Sequence, residues 1–276
     1  MVFYKEYKPT KKLDKYIECY WVLKDSAPDN QIVQQRLVPG GRAEIIFTNS
    51  VFWWFGANKL NKPIRYSKSF LLGQRTSAMY IGLAGNYHFI GIRFKHGCQS
   101  LFKISPANNY TNKLTHLNDL YGTSGKMLSK TVLSSKNIDT TIQYIEKWIL
   151  SNLTGTSDDW QQVQHFIDKI TSDNFKNTPI QKLSKQYGWQ YKKIERTFLK
   201  HTGYTPKNFM KLIRFKKVLE EKNVASQSLT EKAYTFGFYD QSHFIREFYN
   251  YVGDKPSAFY KKPSVLTNLL YQKKEQ

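Results

Sequence analysis

The chain is poor in cysteine: Cys19 and Cys98 are the only two among its 276 residues. Neither belongs to a paired spacing such as C-x-x-C, so the expectation is two reduced thiols in a cytoplasmic protein and no structural metal. Long apolar runs are also missing. None approaches the ~18 residues of a membrane-spanning helix, and the opening "MVFYKEYKPTKKLDKY" lacks the continuous apolar stretch of a signal peptide. Acidic residues are scarce, 21 Asp and Glu against 42 Lys and Arg, a net charge of +21. Such an excess points to polyanionic partners or membrane surfaces. Disorder is excluded by what remains: 40% hydrophobic and 16% aromatic residues suffice for a sizeable core.

The charge excess alone singles out neither half of the chain. Residues 1–154 carry 21 basic and 9 acidic groups, and residues 155–276 carry 21 and 12. Local density is more informative: residues 176–222 hold 13 basic and 3 acidic groups.

Periodicity divides the chain into two parts. Short β-branched and aromatic runs fill residues 1–110: "YIECYWVL" (16–23), "AEIIF" (43–47), "VFWWF" (51–55), "MYIGLAG" (79–85) and "YHFIGIRF" (87–94). Gly, Pro and Asn separate them, which predicts a β-barrel or sandwich. From about Leu114 the period becomes helical. Ile138, Ile142, Ile145 and Ile149 recur at helical spacing over 137–153, and this helix either packs on its own barrel or forms a dimer seam. "TGTSDD" (154–159) then supplies a break. An α+β, two-domain chain is expected, with domains at 1–154 and 158–263. In the second, Trp160, Val163, Phe166, Ile167 and Ile170 form an apolar stripe, and Thr178, Pro179 and Gly188 bound a short helix.

The second domain contains a repeat. Ile180 and Leu229 open short helices that Gly188 and Gly237 end. After the turn, Ile194, Arg196, Phe198, Gly203, Pro206 and Phe209 match Phe244, Arg246, Phe248, Gly253, Pro256 and Phe259. A short helix, a glycine turn and a second amphipathic helix make a helix-turn-helix unit. The predicted units are 180–202 and 229–252, joined by a helix over 206–222. Tyr191, Ile194, Phe198 and His201 are expected to pack inward, as are Phe244, Phe248, Tyr251 and Val252. Lys192, Glu195, Arg196 and Leu199 occupy the other stripe of the first helix, with Lys200 beside them. Ser242, Ile245, Arg246 and Tyr249 occupy that of the second, with Gln241 at its entry. One helix face bearing Lys and Arg is ordinarily just solvated. Two such faces in one register suggest a shared task, because Arg pairs with guanine and Gln with adenine in the major groove.

On these residues, and above all on "GFYDQSHFIREFYNYVGDKPSAFYKK", residues 158–262 resemble the DNA-binding domain of AraC/XylS-type transcription regulators. The resemblance implies seven helices and two recognition helices entering successive major grooves of double-stranded DNA. It places Lys192, Glu195 and Arg196, then Gln241, Ser242, Ile245 and Arg246, at base-facing positions, with His243 at the backbone or a base. It further implies a transcription activator that works with RNA polymerase. Lys232 departs from the pattern, standing where a large apolar residue is usual.

The first domain, through "RLVPGGRAEIIF" (36–47) and "GIRFKHGCQSLF" (91–102), resembles an uncharacterised sensor-like domain often found before such DNA-binding domains. This implies binding of a small-molecule effector, formation of a homodimer, or both. Trp21, Arg36, Glu44, Trp53 and Arg93, with Trp54, are the candidate pocket residues, since apolar walls with a few charges suit small ligands. The competing reading is a DNA-repair or metal-dependent enzyme with an appended helix-turn-helix domain. His88, His96 and Cys98 lie close in sequence but lack an H-x-H with a downstream Glu. Neither cysteine has the neighbours that activate a thiol. No catalytic activity, cofactor or metal is therefore expected.

Overall fold

The computed structural model describes residues 2–172, 184–185, 188–221, 228–261 and 266. The expected short helix with Thr178 and Pro179, and the tail beyond 263 apart from Leu266, fall outside them.

Ten strands form two antiparallel sheets in the first domain. They are β1 (Phe3–Tyr7), β2 (Ile17–Ala27), β3 (Val33–Leu37), β4 (Glu44–Phe47), β5 (Phe52–Gly56), β6 (Ile64–Tyr66), β7 (Phe70–Leu72), β8 (Met79–Leu83), β9 (Gly85–Phe94) and β10 (Leu114–His116). The larger sheet runs β1-β2-β9-β4-β7-β10 and the smaller β3-β8-β5-β6. The longest strands, β2 and β9, pair inside it, where both faces are covered and near-continuous apolar sequence is required.

One face of the larger sheet packs against the smaller sheet, enclosing Trp21, Phe52, Trp54, Phe70 and Phe89. The other packs under helices α1 (Leu117–Ser134) and α2 (Ile138–Asn152), which bury Leu128, Val132, Ile145 and Ile149. Thus α2 is used by its own domain, and the seam reading of its isoleucine stripe is not needed. Asn137 caps it, accepting from the Asp139 and Thr140 amides at 2.9 and 3.0 Å.

The second domain begins with α3 (Asp158–Ser172) and continues with α4 (Tyr191–Thr202), α5 (Pro206–Glu220), α6 (Leu229–Thr235), α7 (Gln241–Val252) and α8 (Pro256–Lys261). Val163, Phe166, Ile167 and Ile170 of α3 join its core. Trp160 does not, contrary to the expected stripe. It packs with Tyr16 and Phe102 of the first domain and donates to the Gly97 carbonyl at 3.2 Å. The break at 154–159 is therefore bridged by packing on its far side. Among the described residues, no helix is long and apolar enough to cross a membrane.

Candidate nucleic-acid interface

Local chemistry fixes both helix-turn-helix units. Thr205 caps α5 with Pro206 in its first turn, Ser228 and Glu231 form a capping box on α6, and Asp240 caps α7, accepting from the His243 amide at 2.6 Å. Helices α4 and α7 end alike, on Gly203 and Gly253 in the left-handed region (φ 76° and 74°). Gly188 and Gly237 also have positive φ, 64° and 68°, so the four glycines of the repeat share one conformation.

Each recognition helix has one buried side. Ile194 and Phe198 are buried in α4, and Phe244, Phe248, Tyr251 and Val252 in α7. Burying one Phe side chain contributes on the order of 2–3 kcal/mol. Opposite them, Lys192, Arg196 and Lys200 are exposed on α4, and Gln241, Ser242 and Arg246 on α7. Glu195 and Ile245 are half-buried, the latter against the core.

One position differs from the sequence reading, and a second is bonded within its own unit. Tyr191, expected to pack inward, is 42% exposed, because it opens α4 before the supporting core begins. His243, expected at DNA, has both ring nitrogens engaged within its own unit. Its Nδ1 accepts from the Tyr239 amide at 3.4 Å, which leaves the proton on Nε2 to donate to Glu247 at 3.2 Å. Glu247 is itself buried and pairs with Lys211 of α5 at 2.6 Å, fastening the second recognition helix to the linking helix. Lys232, the departure from the family pattern, is buried with its ammonium 5.1 Å from the Tyr260 ring centroid.

Both units are seated on the first domain at equivalent places. The end of α4 enters it. Gln99 Nε2 donates to the His201 carbonyl at 3.1 Å, the Tyr204 hydroxyl donates to the Arg75 carbonyl at 2.6 Å, and His201 Nδ1 lies 2.8 Å from Ser100 Oγ. The Ser100 hydroxyl proton goes to the Gly97 carbonyl, so His201 Nδ1–H is the donor to Ser100. A Cβ on Gly203 would stand 1.4 Å from Gln74 Nε2, itself held by Ala107 O and Thr111 Oγ1 at 2.8 Å each. The end of α7 meets the first domain through an ion pair between Arg36 and Asp254. Here a Cβ on Gly253 would come within 2.5 Å of the Tyr80 hydroxyl. Between the two, Val38 joins the second domain's core and His96 sits edge-on to Phe209 of α5, centroids 5.1 Å apart. Burial holds the pKa of His96 down near about 3 and that of His201 near about 4, so both are neutral at pH 7.

The candidate pocket residues separate. Trp21 and Glu44 border a cavity between the sheets. Arg93 faces Glu44 across β4 and β9 and bonds it at 2.7 Å, with Glu6 at 2.8 Å. Burial opposes the Arg93 charge, but these neighbours, Glu44 above all, hold its pKa well above the usual value. Arg36 lies at the seam between the domains instead. Trp53 points away from the inner face that Phe52 and Trp54 share, as strand alternation requires. The sequence reading missed Tyr4, Arg75 and Leu266, which also border the cavity.

Covalent chemistry finds little support here. Burial pushes the Cys19 and Cys98 thiols up to about 12, so neither supplies a thiolate at neutral pH. Among the described residues, no group of three or more His, Cys, Asp or Glu is placed to hold a metal ion.

Two family models match this chain. Residues 183–262 match the family described as helix-turn-helix domain, and residues 5–116 match a domain of unknown function (DUF6597). Among solved structures, ToxT from Vibrio cholerae is 14% identical, covering 87% of this chain and 96% of its own, with a TM-score of 0.46. A probable AraC family transcriptional regulator from Rhodopseudomonas palustris is 25% identical over 37% of this chain and 95% of its own, with a TM-score of 0.33. No curated protein matches the sequence.

Proposed function

From the premise that its carboxy-terminal domain is an AraC-type helix-turn-helix domain, we propose that this chain is a sequence-specific DNA-binding transcription regulator. The observation that carries the reading is the register of its two recognition helices. Arg196 and Arg246 hold the same place in the repeat, both are exposed, and each lies on a helix whose opposite side is buried.

In this reading α4 and α7 enter successive major grooves. Arg196 and Arg246 pair with guanine, and Gln241 reads adenine with an amide that Thr230 Oγ1 orients at 3.3 Å. Glu195 accepts from cytosine, Ile245 contacts a thymine methyl, and Ser242 bonds either partner. Lys192 takes the remaining base-facing place of α4, and Lys200 neutralises a phosphate, fixing position without reading sequence. The linking helix has 15 residues, about 22 Å at 1.5 Å per residue, against the ~34 Å of a DNA turn. Either flanking residues widen the separation or the duplex bends toward the protein.

The domain organisation extends the proposal. The first domain takes a small-molecule effector, and it or a homodimer contact sets the posture of the DNA-binding units. The bound protein acts in the cytoplasm as an activator beside RNA polymerase. Selection from a random duplex library tests the core of this reading. The expected result is an asymmetric element of ~20 bp with two conserved blocks one helical turn apart. Retention of duplexes without sequence preference, governed only by salt, would make the protein a non-specific binder.

A further inference from the structure

The end of β4, the start of β7 and the end of β10 fall at one end of the larger sheet, because β7 runs antiparallel to both its neighbours. Thr48, Ser69 and His116 come together there. Helix α1 leaves from His116 and breaks at Gly122 (φ 55°, ψ −136°), a backbone that favours glycine. Its second half then passes over that end of the sheet. Between the half-helix and the strand ends lies an open cleft of ≈ 530 Å³, within the ~300–1,000 Å³ of small-molecule sites. It shares no lining residue with the cavity between the sheets. Ser69 borders the cleft and its neighbour Phe70 the cavity, as strand alternation requires.

Charge and hydrogen bonding state what the cleft can take. Lys68, Lys126 and Lys130 line it, all three exposed, and no Asp or Glu does. Among the described residues, none of these lysines has an ion-pair partner. Lys126 and Lys130 stand one helical turn apart on one side of the half-helix, and Lys68 arrives from the strand side. Lysines on a helix face are ordinarily just solvated, but the floor of the cleft adds an independent observation. Ser69 is 5% exposed, and its hydroxyl has no hydrogen-bond partner. The buried Nδ1 of His116 has none either. Other hydroxyls of the wall are engaged: Thr48 donates to the His88 carbonyl at 2.8 Å, and Ser129 to that of Gly125 at 2.9 Å.

Leaving a buried polar group unpaired is costly. An oxyanion relieves both, accepting from the Ser69 hydroxyl and from His116 when its Nδ1 carries the proton. Three ammonium groups without a guanidinium fork act as point charges, which suits a phosphate better than a planar carboxylate. One phosphate fills a small part of the cleft and leaves room for an organic group.

We infer that this cleft binds a small phosphate monoester, its phosphate held by Lys68, Lys126 and Lys130 over the Ser69 hydroxyl. The inference goes beyond the regulator reading and does not depend on it, since the cleft contains no residue of the second domain.

Glycerol 3-phosphate serves as the probe, titrated by calorimetry into the full chain at about 0.15 M salt, with inorganic phosphate and succinate for comparison. Saturable binding of glycerol 3-phosphate is expected, with both comparison ligands at least about tenfold weaker. Lys126→Gln and Lys130→Gln should each weaken it about tenfold. Ser69→Ala should weaken it too while leaving the melting temperature unchanged, because that hydroxyl bonds nothing in the free chain. Arg196→Ala and Arg246→Ala should leave the affinity as it is. Absence of saturable binding overturns the proposal, as does binding that survives K126Q, K130Q or S69A. Loss of binding in R196A or R246A would place the phosphate on the recognition helices and overturn it equally. Inorganic phosphate or succinate binding as tightly as glycerol 3-phosphate would overturn the monoester assignment. A chain that selects no DNA sequence leaves all these outcomes standing, so the two readings fail separately.

Discussion

The two helix-turn-helix units share a sequence pattern, glycine caps and a buried aromatic side, yet the first domain holds them differently. The first is seated by uncharged groups in a buried seam: Gln99 and Ser100 on His201, the Arg75 carbonyl on Tyr204, and Gln74 against Gly203. The second is held by the Arg36–Asp254 pair, the Tyr80 contact at Gly253 and the arrival of Leu266. Buried neutral hydrogen bonds are costly to open because each leaves an unsatisfied group. The Arg36–Asp254 pair is only partly buried, with Asp254 33% exposed, so water competes for it more than for the bonds at His201. The first unit is therefore the more firmly seated of the two.

The glycines probe this difference most severely. Gly203→Ala adds a methyl at positive φ, where an L-residue is strained, and drives it into an amide that is already bonded. It should cost about 2–5 kcal/mol of stability. Gly253→Ala meets the far end of one tyrosine and should cost about 1–3 kcal/mol. Denaturant unfolding of the two variants compares them, and an equal loss would erase the asymmetry.

Acid should loosen the seam next. His96 and His201 have pKa values held at about 3 and about 4, below the ordinary 6.5, by burial. The unfolded chain binds more protons than the folded one between these values and 6.5. Stability is then complete above pH 6.5 and falls as pH drops toward 4, by up to about 1.4 kcal/mol per pH unit for each histidine. Because His201 anchors the first unit, His201→Gln should flatten part of this slope in melts at pH 7, 6 and 5.

The ion pair should give the smallest effect. Arg36→Gln and Asp254→Asn are each expected to cost roughly 1 kcal/mol, with a coupling of similar size in a double-mutant cycle. Their main consequence should be faster hydrogen exchange in α7 and α8 but not in α4.

Much of this molecule is readable in its sequence, for reasons that particular residues make clear. The strands found first, such as "AEIIF" and "YHFIGIRF", are central and carry unbroken apolar runs. Those overlooked are polar edge or second-sheet strands like "FYKEY" and "VQQRL", or three-residue pairings such as β10, too short for a period. The exposed and buried faces of α4 and α7 were legible because the repeat supplied a register. The bonds of His243 to Tyr239 and Glu247 were not, since they depend on helix geometry and not on residue type. Trp53 and Trp54 look equivalent in sequence, and only the strand's alternation decides which faces inward. The motif around Val38 and Gly41 reads as sensor sequence yet forms the seam, because Leu212 of α5 and His96 close on Gly41 from distant segments. Contacts of that kind, and Leu266 above all, leave no local signal.

Footprinting on the selected duplex tests the central claim most directly. Two recognition helices predict two protected major-groove patches about 34 Å apart. Arg196→Ala should erase one and Arg246→Ala the other, each at a cost of about 1–3 kcal/mol on that site and little on scrambled DNA. A single patch, or both variants weakening every duplex equally, would contradict the account.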